Sequence, residues 1–478
     1  MKEFHKGKEH WNPERYAVSH IGFAEVPKPD WKADLMPVLI EDETMELRRD
    51  KILDRMRAEN IECAVVYEDL EHGGNFEYLT GFLTRFEEAL LVLHQDGRAY
   101  LILGNENMKM AAYSRLAAEA IHAPQFSLPN QPMAGKMPMK EILYRAGLCR
   151  GLRTGICGWK LFTEAGEEEL FDVPSYIVDS IREVTGGCIR NCTGLWISPD
   201  GGARTVNNAN EIAHYEFGSA LSGRCVEEAM DFLDVGKTEM EIGHRLGAFG
   251  QKHNVISICS TGERFEKANL YPSGKKVKRG DKVSLTTGFC GGLTSRAGYA
   301  VKDASELPEE VSDYLEKAAK PYYGAVAAWL EHIHIGMRGR ELYDMIETVL
   351  PKEVYHWSLN PGHLCAEEEW LSSPFFKDSE ITLKSGMIVQ IDIIPSVKGY
   401  GGAGAENGIA LADENLRKAI RDRYPAVWER IGKRRQYLEE VLHLSLHPEV
   451  LPLADNVAYY RPFFLNKECA FIMEGKGE

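Results

Sequence analysis

No stretch of the chain approaches the ~20 apolar residues that a membrane-spanning helix needs. The first ten residues, from Met1 to His10, are charged and polar and lack the apolar core of a secretion signal. The ten cysteines form no framework; Cys188 and Cys192 are the only close pair, and the set reads as the reduced thiols of a cytoplasmic protein. Positive charge is also short. Against 72 Asp and Glu stand 56 Lys and Arg, and the resulting net charge of −16 argues against nucleic acid or an anionic membrane as the main partner. What is present is ordinary for a globular protein, with 44% hydrophobic and 27% charged residues. At 478 residues there is room for two or three domains.

Residues 1–43 mix proline, tryptophan and charge without a period and read as an arm over the surface or over a partner subunit. From Met45 the spacing predicts a helix, with Leu47, Ile52, Leu53 and Met56 inward and Arg48, Arg49, Asp50, Lys51 and Asp54 in solvent. Residues 61–67, 90–93 and 100–103 read as buried strands, the last two joined at an Asp96-Gly97 turn. Helix and strand then alternate to Ser198-Pro199-Asp200-Gly201-Gly202, which reads as a linker. A long amphipathic helix follows over residues 209–232. Beyond residue 414 come two charged helices, 414–424 and 427–444, and an apolar segment, 459–465, expected in a dimer contact or as a flap on the active-site face.

An internal echo runs through the middle of the chain. Val235-Gly236 with Glu241-Ile242 and Leu246 returns as Ile335-Gly336 with Glu341-Leu342 and Ile346. Lys278, Gly280 and Thr286 return as Lys384, Gly386 and Asp392. The period is too long for a solenoid and implies two related halves, with Thr286 and Asp392 at equivalent points.

The chemistry gathers in three stretches: Asn360-Pro361-Gly362-His363, the run from Ser385-Gly386-Met387 to Asp392, and Gly404-Ala405-Glu406-Asn407. Residues 387–394 read as a buried strand and 408–412 as a second. A carboxylate inside an apolar strand is costly unless something pairs with it. Asp392, Glu406 and His363 therefore point to a metal site or an acid/base site. The plainer reading is an Asp bonded to backbone and a surface Glu.

These stretches, with Asn75-Phe76-Glu77-Tyr78-Leu79-Thr80-Gly81-Phe82 upstream, resemble the superfamily of methionine aminopeptidase, prolidase, Xaa-Pro aminopeptidase and creatinase, over roughly residues 45–413. The resemblance implies an α+β fold: a creatinase-type N-terminal α/β domain (44–200), then a pita-bread domain with a pseudo-twofold repeat (201–413). A C-terminal helical extension (414–478) and a homodimer complete the expectation. In metal-dependent members five ligands recur, two Asp, one His and two Glu. His363 matches the His, Glu406 matches the second Glu, and Asp392 replaces the first. The two Asp belong on the hairpin after Gly280-Asp281, yet residues 282–302 contain no Asp and no Glu. Family spacing puts Thr286 and Ala297 at those positions.

That departure shapes the functional expectation. A two-metal peptidase would lack its bridging carboxylate. His363, Asp392 and Glu406 suit either a single Mn, Fe or Zn ion or no metal. The metal-free case is that of creatinase, where acidic groups hold a cationic substrate and a histidine moves protons. The expected protein is a creatinase-like or Xaa-Pro-peptidase-like hydrolase that cleaves a C–N bond of a small polar or cationic molecule or short peptide. His363, with an unperturbed pKa near ~6.5, is its acid/base, and Asp392 and Glu406 hold the substrate or one metal. The alternatives are a metal-dependent Xaa-Pro dipeptidase or aminopeptidase, a dimethylsulfoniopropionate-type lyase, and a peptide-binding protein without catalysis. Arg296 is a candidate for gripping a substrate carboxylate, against a structural ion pair. Tyr271 is a candidate proton donor. Trp370, after a Glu367-Glu368-Glu369 run that reads as solvated, is a candidate pocket wall favouring a cation. Cys290 and Cys365 lie near these motifs in sequence, but no second histidine is matched beside them and neither is expected as a nucleophile. The family histidine expected near Asn269-Leu270-Tyr271-Pro272 is absent, so creatine itself is not the expected substrate.

Overall fold

The computed structural model describes residues 11–29, 34–164 and 166–474, which leaves residues 1–10 and 30–33 of the expected arm outside the description. The chain divides into two compact units, Leu39–Glu211, and Met1–Val38 with Ile212–Glu478. The division falls inside the helix Ala209–Phe232, not at the glycine-rich stretch before it. That stretch is a closed turn in which Gly202 N–H donates to the Ser198 carbonyl at 2.8 Å.

In the unit Leu39–Glu211 a six-stranded mixed sheet runs in the order 119–122, 99–103, 89–94, 63–68, 154–157, 189–191. Strand Cys63–Glu68 is antiparallel to Ala89–His94 and parallel to Thr154–Cys157. Its central strands are apolar without alternation because helices cover the sheet, and Val65, Leu90, Ile102, Ile142 and Ile177 share one core. The helix expected from Met45 spans Asp42–Ala58. Its buried stripe is Met45, Arg48, Ile52, Leu53 and Met56, with Leu47 turned to solvent. Arg48, expected in solvent, falls one turn before Ile52 on the inward face, where Glu211 neutralises it at 2.7 Å. Gly74–Thr80 is a short helix capped by Gly81 in the left-handed region.

The other unit holds two four-stranded antiparallel sheets, in the orders 404–406, 292–299, 282–289, 258–261 and 363–364, 388–390, 408–411, 450–452. The internal echo appears here as geometry. Gly236 and Gly336 have φ of 87° and 90°, and Gly280 and Gly386 have 82° and 92°. Glycine recurs because each half needs the same left-handed turn before its helix and its strand. After each of the first pair a glutamate closes back on the helix start: Glu241 on Thr238 N–H and Glu341 on Arg338 N–H, both at 2.8 Å.

The strand expected over residues 387–394 is shorter, Ile388–Gln390, and the reason positions the site. Its neighbour Gly408–Leu411 begins at residue 408, while the preceding Gly404–Glu406 pairs with Gly292–Tyr299 in the other sheet. The chain changes sheets at Asn407, so the 388–390 ladder ends after one more bond, Ile391 N–H to Asn407 O at 3.1 Å.

The first and last described segments pair within this unit. Ile21–Glu25 pairs with Cys469–Met473, and Arg15 and Tyr16 bind Glu331, so the described part of residues 1–43 is no loose arm. The 459–465 segment, expected at a dimer contact or as a flap, instead packs along the strand Gly292–Tyr299, with Tyr299 N–H donating to Pro462 O at 2.9 Å. The helix Pro425–Glu440 is fastened by charge. Glu216, fully buried, accepts from Arg430 Nε at 2.9 Å and Nη2 at 2.6 Å, and lies 2.7 Å from Arg434 Nη1. Removing that carboxylate leaves Arg430 buried without its counter-ion and Arg434 with Asp455 alone. Glu216→Gln is expected to cost ~3–5 kcal/mol in urea unfolding, and a cost below ~1 kcal/mol would show the network to be solvated.

Candidate active site

His363 stands on the two-residue strand His363–Leu364, directly opposite Gln390. The turn before it is held by Trp329 Nε1–H donating to Pro361 O at 2.8 Å. Gly362 has φ of 150°, and a Cβ there would sit 2.6 Å from Gln390 O, so only glycine brings the strands this close. The chain then doubles back: Leu371 N–H donates to Leu364 O at 2.9 Å, and Leu364 N–H to Ser372 O at 2.7 Å. This fold-back lays the next residues over the imidazole. The exposed Trp370 stacks on His363 with ring centroids 4.2 Å apart, and Glu369 Oε1 is 3.0 Å from His363 Nε2. The glutamate run is therefore no solvated ribbon, since Glu367 likewise accepts from Tyr215 O–H at 2.7 Å.

Asp392 follows the strand Ile388–Gln390 and is buried, with Oδ2 3.9 Å from His363 Nε2. Glu406 arrives from the other sheet, opposite Ser295, which is itself opposite Thr286. Residues directly opposite on antiparallel strands share a face, so Thr286, Ser295 and Glu406 form one row. The two hydroxyls hydrogen-bond to each other at 2.8 Å. Ser295, and not Ala297, is the neighbour of Thr286. The hairpin turns on only Cys290 and Gly291, which puts Ala297 opposite Ser284.

Charge is crowded here. Burial, then repulsion from Asp392 and Glu369, raises the Glu406 carboxyl well above the usual range. Burial lifts Asp392 to about 6 despite the attraction of His363. For His363 burial acts downward, but the Cys365 thiol and the Glu369 carboxylate outweigh it and raise the imidazole well above its ordinary value. Cys365 Sγ lies 3.7 Å from His363 Nδ1, which is also 3.2 Å from Leu364 O. Asp392 Oδ1 and Gln390 Nε2 are buried with no hydrogen-bond partner among the described residues, two polar atoms of opposite character that a ligand or water would satisfy.

Two expected substrate groups stand elsewhere. Arg296 is fully buried and its N–H groups go to Tyr459 O, Ser295 O, Glu406 O, Asn407 Oδ1 and Asn456 O. No donor remains for a substrate carboxylate, so Arg296 is a structural hub. Tyr271 is 63% exposed, and its described bond runs through its carbonyl, which accepts from Arg264 Nη2 at 2.7 Å.

Residues 282–302 carry no carboxylate, so that hairpin supplies no ligand for a two-metal centre. His363 Nε2 is buried without a hydrogen-bond partner among the described residues, 3.0 Å from Glu369 Oε1 and 3.9 Å from Asp392 Oδ2. Among the described residues, no group of three or more His, Cys, Asp or Glu side chains is arranged to hold an ion.

A family model for metallopeptidase family M24 matches residues 214–413, and one for the creatinase/prolidase N-terminal domain matches residues 48–133, together more than half of the chain. The chain belongs to the creatinase/prolidase superfamily, with its pita-bread fold. An uncharacterized peptidase of Staphylococcus saprophyticus is 22% identical over 229 residues, covering 45% of this chain. The match spans 63% of that relative's length, less than two thirds. Solved structures share the fold at low identity. For the Xaa-Pro dipeptidase from Bacillus anthracis the TM-score is 0.58 at 15% identity, covering 78% of this chain and 96% of that one. For the prolidase from Thermococcus sibiricus it is 0.61 at 16%, covering 79% and 96%. His363, Asp392 and Glu406 all lie within the residues that the metallopeptidase model matches. Glu369 went unseen in the sequence; its one signal was its place beside Trp370, already expected at the pocket.

The shift at Asp392 has a measurable consequence. Its folded value of about 6 exceeds the ordinary 3.8, so the folded state holds this proton more tightly. The group's contribution to stability is full at acid pH and is lost as pH rises from about 4 through about 6. Asp392→Asn keeps the neutral form. It is expected to match wild type near pH 4 and to exceed it near pH 8 by ~2–3 kcal/mol in denaturant melts. A difference independent of pH would show that the carboxyl is not strained by burial.

Proposed function

We propose that this chain is a hydrolase that cleaves a C–N bond of a small polar or cationic substrate, or of a short peptide, without a two-metal centre. The observation that carries the reading is the hydroxyl pair Thr286 and Ser295, 2.8 Å apart, beside a preserved acid/base set. His363, whose charged form Cys365 and Glu369 favour and which stacks under Trp370, is the acid that gives a proton to the departing nitrogen. Asp392 and Glu406 hold the electropositive part of the substrate, and Trp370 offers it an aromatic face. Water supplies the oxygen that replaces nitrogen on carbon. The names of the resembled structures, Xaa-Pro dipeptidase and prolidase, favour a bond before proline as the first to test.

The test is an amine-release assay over Xaa-Pro dipeptides and small guanidino and ureido acids, on protein stripped with a chelator. Turnover is expected to survive stripping, and His363→Gln is expected to lower it by ~10²–10⁴-fold with an unchanged circular dichroism spectrum. Activity that vanishes with the chelator and returns with Mn or Zn would replace this reading with a metal-dependent Xaa-Pro dipeptidase.

A further inference from the structure

Outside the His363 cluster a second cysteine meets a second histidine. Cys290 forms the tip of the hairpin between Lys282–Phe289 and Gly292–Tyr299, and its side chain is half-buried. His214, near the start of the helix Ala209–Phe232, places Nε2 3.7 Å from Cys290 Sγ. Its other nitrogen, Nδ1, lies 2.6 Å from the Val38 carbonyl oxygen. A carbonyl only accepts, so Nδ1 carries the proton and Nε2 turns its lone pair to the thiol. Packing fixes this meeting, because the helix leaves no room for a Cβ on Gly218 beside the Cys290 carbonyl. Cys365 is the contrast: it touches His363 but is only 1% exposed, sealed from any reagent.

We propose that Cys290 and His214 form a nucleophilic thiol site, separate from the hydrolytic cluster, that takes hydroperoxides and other soft electrophiles. The thiol proton passes to His214 Nε2, and the sulfur attacks one peroxide oxygen. An S–O bond forms as the O–O bond breaks, and the leaving alkoxide takes the proton from His214. The sulfur loses two electrons to become a sulfenic acid, and the hydroperoxide is reduced to the alcohol.

The full chain, reduced and treated with limiting iodoacetamide at neutral pH, is to be read by peptide mass spectrometry. Cys290 is expected to label ~10-fold faster than Cys149 or Cys188, which are exposed but have no histidine contact among the described residues. Hydrogen peroxide followed by dimedone is expected to tag Cys290 first. In His214→Gln, whose amide still donates to Val38, the Cys290 rate falls to that of Cys149. Equal labelling of Cys290 and Cys149 in the unaltered chain overturns the proposal whatever the variant does. A variant that keeps the fast rate removes His214 from it, and a missing dimedone adduct removes hydroperoxides as the substrate class.

Discussion

The guanidinium of Arg296 lies out of solvent at the point where the chain changes sheets, with a backbone or amide oxygen for each direction in which it donates. A charge desolvated to that degree is tolerable only while all of those oxygens stay in place. Two of them belong to Glu406 and Asn407, so the guanidinium fixes the residue at which one strand leaves the first sheet and the next joins the second. Glu406 is thereby delivered beside Ser295, while Gly408–Leu411 runs on beside Ile388–Gln390. The ladder that ends after Gln390 leaves Asp392 outside it, near His363. The geometry of two acids and an imidazole thus depends on a residue that touches no substrate.

Two buried charge clusters in the same unit show how differently charge is used. Around Glu216 each carboxylate meets guanidiniums, and the cluster binds the C-terminal helix to the core. Around His363 three carboxylates share one imidazole. Matched charges are what a structural fastening requires; unmatched ones, with proton affinities displaced by their neighbours, are what a reacting centre requires. The surplus is negative, and it suits a ligand that brings positive charge or a proton.

How legible this was in the sequence depended on how local the determining physics is. Pro361-Gly362-His363, the apolar approach to Asp392 and the repeat glycines each announce themselves within a few residues, since turn geometry and burial pattern are local. The pairing of Ser295 with Thr286 follows from a two-residue hairpin turn, a register that no local pattern announces. Arg48 was put in solvent because charge outweighed periodicity, and its partner lies 163 residues away. His214 beside Cys290 joins positions 76 apart, and no pattern in either neighbourhood links them. Glu369 needed the fold-back at Leu371, which depends on a ladder bond to Leu364.

The row shared by Thr286, Ser295 and Glu406 carries charge only at Glu406. The hydroxyl pair is neutral and self-satisfied, and Glu369 sets a further acid against the imidazole. Three acids and a histidine that favours its charged form leave a modest negative excess, reduced further because burial favours the neutral form of Glu406. A pair of dications would overcompensate such a set, whereas a single ammonium or guanidinium would balance it.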